Sequence, residues 1–208
     1  MRSLFGVLAL LTLASPACAG DLYVTVTNAK GAPVEDAAVL VWSAGARTPG
    51  QYDAPLRVVQ KDKQFHPFVL IVPLGADVTF PNEDPFRHQV YSFSKAKTFE
   101  LKLYGGGQVP RVTFDKLGSV ALGCNIHDGM IGFIKVTDAT AGARTDASGR
   151  AVLHGLPAGE ATLKIWRPYL SAPNNEVAMQ VRIPAAGHLD EAFKIKLGPP
   201  PLRTTEEY

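Results

Sequence analysis

Short runs in which apolar and polar residues alternate recur along the chain, broken by glycine, proline and aspartate. In the run "LYVTVTN", Leu22, Val24 and Val26 fall on one side and Tyr23, Thr25 and Thr27 on the other, as in a strand with one buried face. Comparable runs are "AAVLVWSA", "FVLIVPLG", "DVTFPN", "HQVYSFS", "RVTFDK", "SVALGC", "GFIKVTD", "RAVLHGL", "ATLKIWRP" and "AMQVRIP". Turn-forming groups separate them at Lys30-Gly31-Ala32-Pro33, Ser148-Gly149 and Pro157-Ala158-Gly159. The pattern predicts an all-β protein. Only "SKAKTFELKLYGGG" suggests a short helical turn. The proline-rich, then polar, segment 198–208 is expected to be a flexible tail.

The first 19 residues break this pattern. Arg2 precedes an apolar stretch from Leu4 to Leu13, and Ala17 and Ala19 form a small-residue cleavage signature. This is the pattern of a secretory signal peptide cut after Ala19, and it implies export to the periplasm. A lipoprotein reading would acylate Cys18, but Ser15-Pro16-Ala17 lacks the leucine expected three positions before such a cysteine. The apolar stretch is shorter than the ~20 residues that span a bilayer, so no membrane span is expected. With 21 basic and 19 acidic residues and no basic run, nucleic acid is not an expected partner.

The two ends of the remaining chain share a character. "VTVTNAKGAPVEDAAVLVW" and "ARTDASGRAVLHGLPAGEATLKIW" together resemble the carboxypeptidase-regulatory-like (transthyretin-like) sandwich, with about 90 residues inserted between the halves. The resemblance implies a split β-sandwich over residues 20–49 and 139–197, with a second β-domain over residues 50–138. It carries no chemistry of its own.

Chemistry gathers in that insert. Loss of Cys18 with the signal would leave Cys124 as a lone thiol in an oxidising compartment, which calls for burial, protection or a metal. Cys124 lies in "ALGCNIHDGM" with His127 and Met130. Taken singly, a buried cysteine, a surface histidine and a core methionine are ordinary. Together with "VPLGADVTFPNEDPFRHQVYSFS" and "GSVALGCNIHDGMIGFIKV", the loop resembles the cupredoxins, a Greek-key β-sandwich family of small blue copper proteins. The resemblance implies one type 1 copper ion held by His88, Cys124, His127 and Met130. The cysteine-x2-histidine-x2-methionine spacing matches the short loop of amicyanin-like members.

The ligand chemistry points the same way. A thiolate and two imidazoles with a weak thioether suit blue-copper electron transfer, whereas zinc prefers four strong tetrahedral donors. The resemblance further implies that Asn82 ties the two ligand loops together, and it leaves the part of Gln89 open, since many members carry asparagine there. Glu83 and Asp84 offer an alternative carboxylate ligand. His66, just before Pro67, is expected to be solvated or structural, and no cysteine or carboxylate cluster accompanies His154 and His188. "YGGGQVP" lacks the lysine and serine of a phosphate loop, and "TDASGR" lacks the acidic ladder of a calcium loop.

The motifs come closer still to exported bacterial methylamine utilisation proteins, although Arg87 stands where several of these have a second histidine. The expected function is an exported, monomeric, non-enzymatic carrier of single electrons that meets a redox partner transiently, with His127 as the exit. Copper storage or delivery is the alternative.

Overall fold

The computed structural model describes residues 19–43, 52, 55–127 and 129–199, so the expected signal peptide, Cys18, Asp128 and most of the tail lie outside the described residues. The strands follow in chain order as β1 (Ala19–Asn28), β2 (Ala38–Ser43), β3 (Val59–Lys61), β4 (Gln64–His66), β5 (Val69–Pro73), β6 (Ala76–Thr79), β7 (His88–Ser94) and β8 (Lys97–Tyr104). They continue as β9 (Arg111–Phe114), β10 (Gly118–Gly123), β11 (Ile131–Thr137), β12 (Ala141–Arg144), β13 (Arg150–Pro157), β14 (Gly159–Trp166), β15 (Glu176–Ile183) and β16 (His188–Ile195). Among the described residues a 3-10 turn, Pro173–Asn175, accompanies them. The protein is an all-β sandwich.

β1 shows how the alternation is used. Leu22, Val24 and Val26 are buried against Val39, Val41, Leu163 and Ile165, between a three-stranded sheet ordered β13-β1-β16 and a four-stranded sheet ordered β12-β2-β14-β15. The turn between β12 and β13 requires its glycine. Asp146 Oδ1 accepts from the amides of Ser148 and Arg150, while Gly149 sits at φ +75 with Val26 O only 2.4 Å from where a Cβ would stand.

The strands from Val59 to Thr137 enclose a separate core. A five-stranded sheet ordered β5-β11-β10-β7-β8, the hairpin β3-β4 and the two-stranded antiparallel sheet β6-β9, with the residues that flank them, contribute Phe65, Phe80, Phe114, Val120, Leu122 and Ile134 to it. A third cluster, with Leu40, Val69, Ile71 and Trp166, forms the seam between the two sets of sheets. Each such fully buried side chain contributes about 1.5–3 kcal/mol. The ion pair Lys135–Glu176 (2.5 Å) also joins β11 to β15, but desolvation offsets much of the gain of a largely buried pair. Apolar contact therefore holds the seam, and the ion pair orients it.

The helical turn expected in "SKAKTFELKLYGGG" is a strand. Residues Lys97–Tyr104 form β8, the edge partner of β7, with Phe99 and Leu101 packed on the core. Its lysines, glutamate and leucines suit a helix by local preference, but cross-strand pairing decides the outcome. Charged residues on an edge strand also discourage pairing with another chain.

Candidate metal centre

Two features of the register assemble the site. β10 and β11 form an antiparallel pair closed at Gly123↔Ile131, so residues 124–130 form the loop between them at one end of the sheet. β7 lies on the other side of β10 and begins with His88, opposite Tyr104 of β8. One hairpin loop thus supplies Cys124, His127 and Met130, and the start of a neighbouring strand supplies His88.

The donor atoms converge. His88, Cys124 and His127 each offer one ligand atom, and these atoms all lie within 4.8 Å of one another. Cys124 Sγ is 3.8 Å from His88 Nδ1 and 3.9 Å from His127 Nδ1. Bond lengths of about 2.3 Å to sulfur and about 2.05 Å to nitrogen give a sulfur-to-nitrogen separation of about 3.8 Å at a trigonal angle, against about 3.6 Å at a tetrahedral one. The observed sulfur-to-nitrogen distances lie in the range that one shared metal ion requires. Cys124 is a free thiol with 3% exposure, and the ring of His88 is fully buried.

Met130 completes the loop. Its amide donates to His127 O (3.0 Å), closing a turn that returns the side chain to the core occupied by Cys124. There it is 1% exposed. Burial lowers the pKa of His127, and the neighbouring His88 and Lys63 lower it further, so at neutral pH the ring is uncharged and keeps a lone pair for a metal.

The surroundings differ in part from the sequence-based expectation. Asn82 does not tie the two ligand loops together among the described residues. Its Nδ2 donates to Phe86 O (2.8 Å) and Tyr104 O (3.2 Å), and its Oδ1 accepts from the Asp84 amide (2.9 Å), so it braces its own loop against β8. Gln89 makes the link between loops instead. Its Oε1 accepts from Asn125 Nδ2 (2.8 Å), next to Cys124, while its amide donates to Glu100. The longer side chain reaches past the site to the loop's polar shoulder.

The alternative carboxylate ligands are not in the donor cluster. Glu83 is exposed and lies 3.9 Å from Lys61, and the Asp84 carboxylate contacts Nε2 of His88, the ring nitrogen away from Cys124. His66 is exposed in β4. His154 and His188 lie beside Tyr23 on the three-stranded sheet, paired with Asp21 and Asp190.

Three neighbours were not identified from the sequence. Phe86 packs its ring against both His88 (centroids 5.1 Å apart) and His127 (5.6 Å) and remains partly exposed. Its position two residues before His88 was the available signal. Tyr91, paired with Gly123, lays its ring where a side chain at 123 would stand, 2.6 Å from an added Cβ. Gly123 is therefore fixed by the aromatic ring beside the cysteine strand, and Tyr91, Phe93 and Tyr169 border a groove of about 570 Å³ next to Cys124 and Met130. Gln60 and Tyr104 form a buried pair behind the site. Burial and the nearby Cys124 push the Tyr104 hydroxyl up to about 12 against the opposing hydrogen bond with Gln60, so it stays neutral and donates to Phe80 O (2.8 Å).

No family model and no curated protein matches the chain. Solved structures similar to part of it include cupredoxins and a copper-containing nitrite reductase. A purple cupredoxin from Nitrosopumilus maritimus aligns at 20% identity over 40% of this chain and all of that one, with a TM-score of 0.36. A copper-containing nitrite reductase from Thermus scotoductus SA-01 aligns at 28% identity over 54% of this chain and 28% of that chain, with a TM-score of 0.38. A reduced Cu(I) form of an amicyanin mutant aligns at 19% identity over 48% of this chain and 98% of that one, also at 0.38. At such scores the likeness carries no argument about function. That argument rests on the donor geometry.

Proposed function

We propose that the chain is a type 1 copper protein of the cupredoxin kind that carries single electrons between redox partners. The observation that carries this is the meeting of Cys124 Sγ with the Nδ1 atoms of His88 and His127 in one buried cluster, a thiolate and two imidazoles close enough to share an ion. A copper ion bound there would accept and return one electron. The chain's own residues hold the donors still: β7 fixes His88, the β10-β11 hairpin fixes Cys124, and the His127–Met130 turn closes the loop. Burial of Cys124 and Met130 excludes water and keeps the thiol from outside oxidants.

In this reading the protein is exported to the periplasm and acts as a monomeric carrier, not an enzyme, and a cupredoxin sandwich (residues 50–138) is inserted into a regulatory-like one. A link to methylamine oxidation is part of the same proposal and rests on sequence motifs alone. Storage or delivery of copper is less well supported: the donor set holds a single thiolate, and it is buried, whereas a delivery site must hand its ion to a partner's ligands.

Electrons leave where the ligands come nearest the surface. His127 is partly exposed, with Phe86 against its ring and Ile126 beside it in sequence, 51% exposed. Ile131, by contrast, borders the groove beside Tyr91 and Tyr169. We therefore expect Ile126→Glu to slow electron self-exchange between oxidised and reduced copper protein at least about tenfold, because two surface carboxylates of like charge would face each other on contact. The visible spectrum should stay unchanged. Equal self-exchange rates, measured by NMR line broadening, would place the exit elsewhere.

A further inference from the structure

We propose that Asp84 is the positioning residue of the centre, an aspartate that holds His88 by the nitrogen opposite the metal and sets how strongly that ring donates. This rests on the copper reading above and goes beyond it. The two nitrogens of the buried His88 ring have separate tasks. Nδ1 faces Cys124 Sγ at 3.8 Å, and Nε2 lies 2.6 Å from Asp84 Oδ2. An ionised carboxylate can only accept, so Nε2 is the nitrogen that carries a proton toward Asp84, and Nδ1 is the one left to face a metal. The Asp84 contact selects the tautomer that can bind a metal.

The fold commits several groups to this one carboxylate. The turn between β3 and β4 places Asp62 at φ +53 and Lys63 at φ +57, and both amides point at Asp84: Asp62 N to Oδ1 at 2.7 Å and Lys63 N to Oδ2 at 3.1 Å. From the other side Asn82 Oδ1 holds the Asp84 amide, and Gln60 fixes the loop to β3 through its own backbone, with bonds to Pro81 O (3.0 Å) and from Glu83 N (2.9 Å). Three donors, the Asp62 and Lys63 amides and the His88 ring, thus converge on the Asp84 carboxylate. At 8% exposure it is a nearly dry negative charge directly behind a ligand ring.

Such a charge strengthens the imidazole as a donor and favours the divalent over the monovalent ion. Removing it should weaken Cu(II) binding more than Cu(I) binding and so raise the reduction potential. A brace of the loop alone would weaken both alike and leave the potential in place.

Two measurements test this. In the metal-free wild-type protein with ¹⁵N-labelled histidine, long-range proton–nitrogen correlation at mildly alkaline pH should show His88 protonated at Nε2 and bare at Nδ1. The opposite tautomer would overturn the proposal without reference to copper. In Asp84→Asn, competition titrations should show Cu(II) affinity reduced about 10- to 100-fold, Cu(I) affinity reduced less, and a higher potential by voltammetry. Unchanged Cu(II) affinity and potential, or equal loss for both ions, would overturn it. If Asp84→Asn does not fold, the tautomer in the wild type decides. A wild-type protein that takes up no copper would sink the copper reading itself, and the tautomer would still judge the Asp84–His88 contact.

Discussion

Cys124→Ser should abolish the intense thiolate-to-copper absorption completely, leaving at most the weak colour of a nitrogen- and oxygen-bound cupric ion. The thiolate is the soft donor that distinguishes this set from an ordinary imidazole site, and Cys124 is the one free thiol among the described residues. A serine hydroxyl is nearly the same size but a far poorer ligand at neutral pH. The fold should survive, because Cys124 packs as a small apolar residue in a core otherwise held by Phe80, Phe114 and Ile134. Thermal unfolding of the metal-free proteins should therefore nearly coincide, while their copper-loaded spectra differ entirely. A Cys124→Ser protein that keeps the band would place the thiolate, and with it the centre, somewhere else.

Met130→Leu should keep copper bound and raise the reduction potential. In the proposed centre the thioether would be a weak donor, and the two imidazoles and the thiolate would suffice to hold the ion. Its loss favours the reduced ion, which tolerates three ligands better, and leucine keeps the pocket dry, which acts in the same direction. Met130 is almost fully buried, so the swap tests packing as well, yet Leu and Met are close in volume and the exchange should cost less than about 1.5 kcal/mol of stability. The measurement is voltammetry of the two proteins at one pH. An unchanged or lower potential would remove Met130 from the axial position. A carboxylate in that role would need Asp84 to turn away from His88 and from the two turn amides that hold it.

What the sequence revealed, and what it hid, follows from the range of each interaction. The clustering of His88, Cys124 and His127 was legible because two of them fall on one loop at fixed spacing and the third follows a distinctive turn. The strands with clean alternation, such as β1, were legible because one buried face imposes period two on the chain. β8 was not, since Lys97, Glu100, Leu101 and Lys102 are good helix formers and only pairing with β7 makes them a strand. The bond of Gln89 to Asn125 and the cover of Gly123 by Tyr91 join residues more than thirty positions apart, so no local pattern announces either. Asp84 was visible as a carboxylate near a ligand, but its direction was not. Which nitrogen of His88 it faces depends on the β3-β4 turn some twenty residues earlier, whose amides hold the carboxylate.

The visible absorption spectrum of the wild-type protein, freed of its first 19 residues and loaded with one equivalent of copper, tests the central claim most directly. A trigonal thiolate–imidazole centre should give an intense visible band that disappears on addition of a mild reductant, returns on reoxidation, and saturates at one copper per chain. A colourless or only faintly coloured cupric protein, or a band that fails to cycle with reduction and reoxidation, would contradict it.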